Sequence, residues 1–199
     1  MKGQLIIFVR APRYGAVKKR LATDTGPWIA WRFYRNCSAN IVKRLTDPRW
    51  RTVLAVQPDL FAKQGRFWPP ALPRIAQGNG NLGSRLSRAA LSVKRGPIII
   101  VGSDIPTINR DHIALAFNNL GYHDAVLGPS PDGGYWLVGL RLRPNRPRPF
   151  KNVRWSSRYT LSDTLKNFDS RHRIAFMKSL HDIDTVSDYR LLVSKPFNV

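Results

Sequence analysis

Two short runs of almost purely apolar residues place the strongest constraint on the fold of this chain. Residues 5–9 read LIIFV and residues 97–101 read PIIIV. Each run has the length of a β-strand, and neither alternates with polar residues, which is typical of a strand that is covered on both faces. The two runs therefore predict buried strands within a layered fold.

The rest of the chain alternates between strand and helix patterns. Strands are predicted at residues 4–10, 52–56, 97–101, 124–127, 135–140 and 173–180, helices at residues 27–45, 82–93, 109–120, 158–168 and 186–193, and loops at residues 11–26, 67–73 and 141–149. Such alternation is typical of an α/β fold, with a mainly parallel sheet and helices on both faces. Because 199 residues have the size of one domain, the prediction is a single domain over residues 1–199.

The net charge of +21, from 33 basic and 12 acidic residues, favours anionic ligands. The basic residues are scattered and no nucleic-acid-binding pattern accompanies them, so a nucleic-acid partner is the less favoured interpretation. A single cysteine, Cys37, excludes an internal disulfide and a cysteine-based zinc site. No apolar run approaches the roughly 20 residues that cross a bilayer, and the N-terminal run is too short for a signal peptide. We therefore expect a cytoplasmic protein without membrane insertion.

The loop after the first strand has the composition of a phosphate site. In sheets of this kind, ligands bind beyond the carboxyl ends of the strands. The loop runs from Arg10 through Gly15 to Lys18 and Arg20. A glycine lets backbone N–H groups approach an anion, and the basic side chains can neutralise it. The loop matches neither a P-loop nor a dinucleotide-binding pattern, so an ordinary solvated basic turn is the alternative.

A carboxylate follows the second apolar run, in the segment VGSDIP. Asp104 at the mouth of a buried strand is well placed to hold Mg²⁺ or Mn²⁺, which take oxygen ligands and bridge to phosphates. The alternative is that Asp104 caps a turn before the next helix, a frequent use of aspartate. The metal interpretation is favoured because the neighbouring predicted loops converge at the same edge of the sheet.

The segment SPDGGYWLVGL combines a carboxylate, two glycines and two aromatic residues. Asp132 precedes Gly133 and Gly134, which would let a ligand lie against bare backbone beside a carboxylate. Tyr135 and Trp136 follow, one on each face of the next strand. Part of the segment is explained without a ligand, since Asp-Gly is a common hairpin turn and Trp136 could belong to the core. The second glycine and the aromatic pair favour a polyhydroxyl or nucleotide ligand.

The segment HDIDTVSD, residues 181–188, precedes the last predicted helix. Asp184 or Thr185 as the N-cap, with Asp188 near the start of the helix, explains most of it. The alternative is that Asp184 is a second metal carboxylate. His181 and His112 are interpreted as surface or packing residues, because no histidine pair has metal-ligand spacing.

Taken together, six segments resemble one family of bacterial proteins. They are LIIFVRAPRYGAVKKRLA, QGNGNLGSRL, VGSDIP, LGPSPDGGYWLVGL, VRWSS and DIDTVSD, in that order from residue 4 to about residue 190. The chain resembles the rSAM/selenodomain-associated transferases of the GT-A, or nucleotide-diphospho-sugar transferase, superfamily. The resemblance implies a GT-A three-layer sandwich and relatives that include glycosyltransferases and small guanylyltransferases.

The resemblance also implies roles for individual residues. The nucleotide phosphates would lie at the loop with Gly15, Lys18 and Arg20, and the nucleotide pocket would include Gly78, Asn81, Leu82 and Gly83. Asp104 would bind the metal, and Asp132 or Asp184 would complete the site. Three positions depart from the family pattern, namely Lys19 and Ser157, where threonine is expected, and Asn81, where aspartate is usual. Asn81 would keep the shape of aspartate and lose its charge, so a metal-ligand or base role there is in doubt.

The function that follows is a metal-dependent transferase that uses a nucleotide-activated substrate, an NDP-sugar in the first interpretation. A divalent ion at Asp104 would bridge the phosphates, Lys18 and Arg20 would stabilise the leaving group, and Asp132 would act as base or orient the acceptor. One alternative is a nucleotidyltransferase that joins an NTP to a small phosphorylated acceptor. Another is a non-catalytic nucleotide- or RNA-binding module, which the charge and Asn81 favour.

Overall fold

One mixed sheet forms the centre of the molecule. The computed structural model describes residues 2–92, 96–142 and 147–194. The strands are β1 (Gln4–Arg10), β2 (Arg51–Gln57), β3 (Arg74–Ala76), β4 (Gly96–Val101), β5 (Ala125–Pro129), β6 (Tyr135–Leu142) and β7 (Ile174–Phe176). They form a seven-stranded sheet in the order β3-β2-β1-β4-β6-β5-β7. Within it β6 runs antiparallel to β4 and β5, and the remaining pairs are parallel.

Helices cover both faces of this sheet. They are α1 (Lys19–Thr25), α2 (Pro27–Leu45), α3 (Leu60–Gln64), α4 (Leu82–Leu91), α5 (Arg110–Asn119), α6 (Thr160–Leu165) and α7 (Val186–Ser194). Side chains of α2 and α5 pack with Leu5, Ile7 and Val9 of β1 on one face. Side chains of α4 and α6 pack with Ile6 and its neighbours on the other. Successive residues of β1 thus enter opposite cores, and the predicted α/β sandwich with a mainly parallel central sheet is confirmed.

Short elements account for most differences from the predicted boundaries. Helix α1 lies inside the predicted loop 11–26, and neither α3 nor β3 was predicted. Helix α3 has no buried residue, so it leaves no amphipathic signal in the sequence. The predicted strand 173–180 is a strand only over β7, and β6 extends into the predicted loop 141–149. Residues 93 and 143–146, where the ends of a predicted helix and the middle of that loop fall, lie outside the described residues.

The topology gathers the candidate loops at one edge of the sheet. The parallel strands β1, β2 and β4 all end there, and the antiparallel strand β6 begins there, with Leu137 opposite Val101. The hydroxyl of Tyr34 on α2 ties this edge together. It accepts a hydrogen bond from Arg10 N at 2.8 Å and lies 3.1 Å from Ser103 Oγ. Among the described residues, no helix is both long and apolar enough to span a bilayer.

Candidate active site

Lys18 lies between two aspartates that come from distant parts of the chain. Its Nζ donates to Asp104 Oδ2 at 2.8 Å and to Asp184 Oδ1 at 2.5 Å. The Lys18 side chain is only 6% exposed, and its backbone adopts the left-handed conformation, with φ 47° and ψ 50°, just before α1. The loop after β1, the loop after β4 and the segment before α7 therefore meet at one ammonium group.

Burial and the neighbouring charges shift the pKa values of Lys18 and Asp182. Burial by itself lowers the pKa of Lys18, but the adjacent carboxylates of Asp104 and Asp184 raise it above the ordinary value. Lys18 is therefore a cation at neutral pH. Asp182, half-buried beside the pair, has its pKa raised from 3.8 to about 6 by burial and by the charges of Asp104 and Asp184. Asp104, Asp182 and Asp184 each offer an oxygen, and these three oxygens lie within 4.8 Å of one another.

We predict that Asp182→Asn stabilises the fold more strongly as the pH rises. Because the folded pKa of Asp182 lies near 6, above its value in the unfolded chain, the folded state binds more protons between these pKa values. The unfolding free energy contributed by Asp182 therefore falls as the pH rises through that window. Thermal melts should show a variant that gains little at about pH 4 and most above about pH 7. A gain that does not change with pH would contradict the assignment.

A cavity of about 420 Å³ opens beside Lys18, and its wall is lined by further basic and amide side chains. Gln57 Oε1 accepts from Arg10 Nη2 at 3.1 Å and from Arg85 Nη1 at 2.9 Å. Gln77 is buried and donates its amide group to two backbone carbonyls, those of Val9 and Ala55. This cavity is therefore lined by two guanidinium groups and an ammonium group, together with the carboxylates of Asp104 and Asp184 that pair with the ammonium.

A second cavity of about 210 Å³ adjoins the first. Both are lined by Leu82, Gly102 and Asp104. The second cavity is also lined by Asp182 and, on its far side, by Asp132. Asp104 thus lies where the two cavities meet, with Asp184 and the basic side chains in the larger cavity and with Asp132 and Asp182 in the smaller one.

Of the residues predicted to bind the nucleotide, three line the larger cavity and the others line neither cavity. Arg10, Lys18 and Leu82 line the larger cavity. Arg20 lines neither cavity; its side chain is 75% exposed, and its Nη1 lies 3.6 Å from Oδ2 of Asp184, which lines the larger one. Gly15 is exposed, with φ +70°, and is not among the residues lining either cavity.

The other three predicted nucleotide residues have local structural explanations. Asn81 Oδ1 accepts from Ser84 N at 2.9 Å, so Asn81 is the N-cap of α4. Asparagine and aspartate cap helices about equally well, so the departure at this position preserves the cap. Gly78, with φ +76°, donates its N–H to Asp59. Gly83 is buried, and a Cβ there would lie 2.7 Å from the indole nitrogen of Trp155.

Asp132 and Gly134 lie at a cavity, as the sequence predicted, whereas Gly133 is covered by another part of the chain. Asp132 and Gly134 line the smaller cavity, and Asp132 Oδ1 accepts from Gly134 N at 2.9 Å. The expected open backbone at Gly133 is covered by the chain itself, because a Cβ there would lie 2.3 Å from Arg158 O. Gly133 also has φ +84°, a conformation that favours glycine.

The two aromatic residues after this turn take opposite faces of β6. Tyr135 lines the smaller cavity and is packed against Trp155, with ring centroids 6.4 Å apart. Trp136 borders the same cavity, but it is only 4% exposed. Its indole N–H donates to Lys178 O at 3.1 Å. Most of Trp136 is therefore core, and a direct ligand contact by it stays a prediction.

Sequence reasoning missed four residues of the site, which are Gln57, Gln77, Arg85 and Asp182. Gln57 and Gln77 directly follow or end strands whose positions in the sheet are unknown from sequence. Arg85 lies one turn after the N-cap of α4, and this proximity to a predicted nucleotide segment was the available signal. Asp182 stands two residues before Asp184, so the spacing Asp-Ile-Asp was visible. Its convergence with Asp104 depends on tertiary structure.

Solved structures share this fold. A candidate nucleotide-diphospho-sugar transferase from Desulfovibrio desulfuricans G20 is 27% identical, and the match covers 100% of this chain and 90% of that one with a TM-score of 0.90. The 4-diphosphocytidyl-2C-methyl-D-erythritol synthase from Anaerococcus prevotii DSM 20548 is 9% identical, with a TM-score of 0.62 over 98% and 97% of the chains. Rv0371C from Mycobacterium tuberculosis H37Rv, in complex with manganese, is 13% identical, with a TM-score of 0.55 over 98% and 100%.

Comparison of sequences identifies the family. A search of curated proteins finds no significant match. The family model described as "Uncharacterized protein conserved in bacteria (DUF2064)" matches residues 41–157, more than half of the chain. This span includes the strand that leads to Asp104, the cap at Asn81 and the turn at Asp132. The chain therefore belongs to the DUF2064 family.

Proposed function

We propose that the protein is a metal-dependent transferase that acts on a nucleotide-activated substrate, an NDP-sugar in the favoured form of the proposal. The observation that carries it is the position of Lys18, which is buried between Asp104 and Asp184 in the wall of the larger cavity, with Asp104 also lining the smaller one. The similarity to the candidate nucleotide-diphospho-sugar transferase supports the same reaction class. The six sequence segments support the finer placement among the rSAM/selenodomain-associated transferases.

The larger cavity suits a nucleoside diphosphate. Arg10 and Arg85 both donate to Gln57 Oε1, and both line this cavity. Guanidinium groups form short, charge-assisted hydrogen bonds to phosphate oxygens. Arg20 lies 3.6 Å from Asp184, which lines this cavity, and its exposed side chain would turn toward the same anion. These residues bind and orient the diphosphate, and Gln77, locked by two backbone carbonyls, adds a fixed amide oxygen to the wall.

The three carboxylates fit a divalent ion. Their oxygens lie within 4.8 Å of one another, and two of them already converge on one cation, the ammonium of Lys18. Hard oxygen ligands suit Mg²⁺ and Mn²⁺, and the Rv0371C structure of similar fold is a manganese complex. Asp104 and Asp184 would hold the ion, with Asp182 beside them. A bound ion would offset the negative charge that grows on the leaving diphosphate.

The smaller cavity would hold the acceptor. Asp132 lines it, and its Oδ1 is fixed by Gly134 N at 2.9 Å. The other carboxylate oxygen of Asp132 makes no hydrogen bond to the described residues, so it can accept a proton from an acceptor hydroxyl or orient that hydroxyl. Half-buried Tyr135 and the edge of Trp136 complete the wall, and their flat surfaces suit the apolar face of a sugar ring.

Nucleotidyl transfer is the second candidate. The structural likeness to the diphosphocytidyl-methylerythritol synthase, over 98% of this chain, favours it. In that reaction a phosphate acceptor would attack the α-phosphorus of an NTP, and the same basic side chains would bind the leaving pyrophosphate. Both reactions would use the divalent ion held by the carboxylates and the basic side chains of the larger cavity. They differ in which atom of the substrate would face the smaller cavity.

Thermal stability against a ligand panel tests the proposal. A ligand that binds only the folded state raises the melting temperature. We expect an NDP-sugar to raise it in the presence of Mn²⁺ and to have much less effect with EDTA. A metal-dependent rise with an NTP, and none with any NDP-sugar, would support nucleotidyl transfer. Absence of any metal-dependent rise, together with salt-sensitive binding of RNA, would instead support a non-catalytic binding module.

A further inference from the structure

We propose that Lys18 is a resident cation that occupies the metal position in the ligand-free protein and leaves it for the diphosphate when a divalent ion binds. This inference rests on the proposed function and adds a mode of regulation to the same site. It predicts that the ion and the diphosphate bind cooperatively, because each removes an obstacle to the other.

The contacts of Lys18 occupy the oxygens that an ion would require. Nζ lies 2.8 Å from Asp104 Oδ2 and 2.5 Å from Asp184 Oδ1. An ion bound to the same two oxygens would share the space that the ammonium fills, and two cations in such proximity repel each other strongly. Asp104 and Asp184 therefore bind either Lys18 or a divalent ion through these atoms.

Lys18 has a second anion site within reach of its side chain. It lines the 420 Å³ cavity, where Arg10 and Arg85 also point. Without an anion, movement of the buried ammonium into that cavity would add a third positive charge to the two guanidinium groups. A bound diphosphate would reverse this effect by giving the ammonium new partners. The displaced lysine thus becomes a phosphate ligand only when the diphosphate is present.

The backbone holds Lys18 in a defined starting position. Its left-handed φ of 47° is uncommon for a residue with a side chain, and α1 begins at the next residue. Lys18 O also accepts a hydrogen bond from Ala22 N at 2.9 Å, so the main chain is tied to the first turn of α1 while the long side chain can rotate between two acceptor groups. A switch of this kind needs only side-chain rotation, which is fast compared with movement of a loop.

Metal titration of a matched pair of variants tests the proposal. Lys18→Met removes the resident cation, whereas Arg20→Met removes an exposed positive charge that lies 3.6 Å from the same Asp184 without occupying the carboxylate pair. With Mn²⁺ alone, followed by its electron paramagnetic resonance signal, we expect Lys18→Met to bind at least about tenfold more tightly than the wild type. Arg20→Met should change the affinity by less than about threefold, the effect of an exposed ion pair.

Pyrophosphate is the probe that tests whether a bound diphosphate increases the affinity for Mn²⁺. Wild-type protein should bind Mn²⁺ at least about tenfold more tightly with pyrophosphate than without it, after correction for the Mn²⁺–pyrophosphate complex in solution. Lys18→Met should lose a large part of this enhancement. If the methionine variant does not fold, Lys18→Gln, which retains amide donors for the carboxylates, takes its place.

The outcomes separate this inference from the proposed function. Equal Mn²⁺ affinity of wild type and Lys18→Met, or an equal gain in Arg20→Met, would overturn the role of Lys18 and leave transferase activity open to the ligand panel. Conversely, a tighter Mn²⁺ site in Lys18→Met would support the resident cation even if no nucleotide in the panel binds. Failure of Mn²⁺ to bind any variant at the carboxylates would remove both.

Discussion

Replacement of Asp104 by asparagine is expected to weaken Mn²⁺-dependent nucleotide binding by at least about a hundredfold, or about 3 kcal/mol. Asp104 Oδ2 accepts a hydrogen bond from the Lys18 ammonium at 2.8 Å. A carboxylate oxygen of Asp104 also lies within 4.8 Å of oxygens of Asp182 and Asp184, and Asp104 lines both cavities. Asparagine has nearly the same shape but no negative charge, so the fold should survive while the cation site is lost. Calorimetric titration with the NDP-sugar that gives the largest thermal shift measures the effect.

The matched control is Asp169→Asn. Asp169 also pairs with a basic side chain, with Arg171 Nη2 at 3.0 Å, but it is 46% exposed and lies outside both cavities. Its replacement should leave nucleotide binding within about twofold, because exposed ion pairs contribute little. Loss of binding in both variants would indicate a general effect of charge, and unchanged binding in Asp104→Asn would refute the assignment of Asp104.

Gly133→Ala should lower the free energy of unfolding by about 3 kcal/mol, the sum of a left-handed backbone and overpacking. Gly133 has φ +84°, and a Cβ would lie 2.3 Å from Arg158 O and 2.6 Å from Arg158 Cα. These are backbone atoms, so the clash cannot be relieved by rotation of a side chain. Urea unfolding of the wild type and variant measures the difference.

Gly15→Ala is the control for the backbone conformation alone. Gly15 has a similar φ of +70°, but no atom of the described residues lies within 4 Å of the position of a Cβ. We expect it to cost only about 1 kcal/mol. If both variants lose the same stability, close approach of Arg158 does not explain the glycine at residue 133. A stable Gly133→Ala protein that fails to bind ligand would instead return this glycine to the binding site.

The central strands could be predicted because their signal is local. Residues 5–9 enter two cores, with Leu5 and Ile7 on one side and Ile6 on the other, and this arrangement requires an apolar residue at every position. The short strand β3 and the helix α3 left no such signal. Both elements form against β2. Ile75 of β3 pairs with Ala55 of β2, and Phe61 of α3 packs against the apolar cluster that includes Leu54 and Val56 of β2.

Several residues of the candidate site could be predicted from the sequence, but the contacts between them could not. Lys18, Asp104 and Asp184 were each predicted as site residues in three separate segments, but the sequence does not show that one lysine bridges both aspartates. For Gly133, the sequence showed a glycine in a turn and could not show that Arg158 covers it. For Trp136, the same period-two pattern fits a core residue and a ligand contact, and the core explains most of its burial.

Anomalous diffraction from crystals soaked with Mn²⁺ and a nucleoside diphosphate would locate both the ion and the diphosphate relative to Lys18. We expect a manganese peak within coordination distance of Asp104 and Asp184, with the diphosphate in the larger cavity beside Arg10 and Arg85. The Lys18 ammonium should have moved from the carboxylates to the phosphate oxygens. A manganese peak or a diphosphate bound elsewhere, with Lys18 still paired to both aspartates, would contradict this expectation.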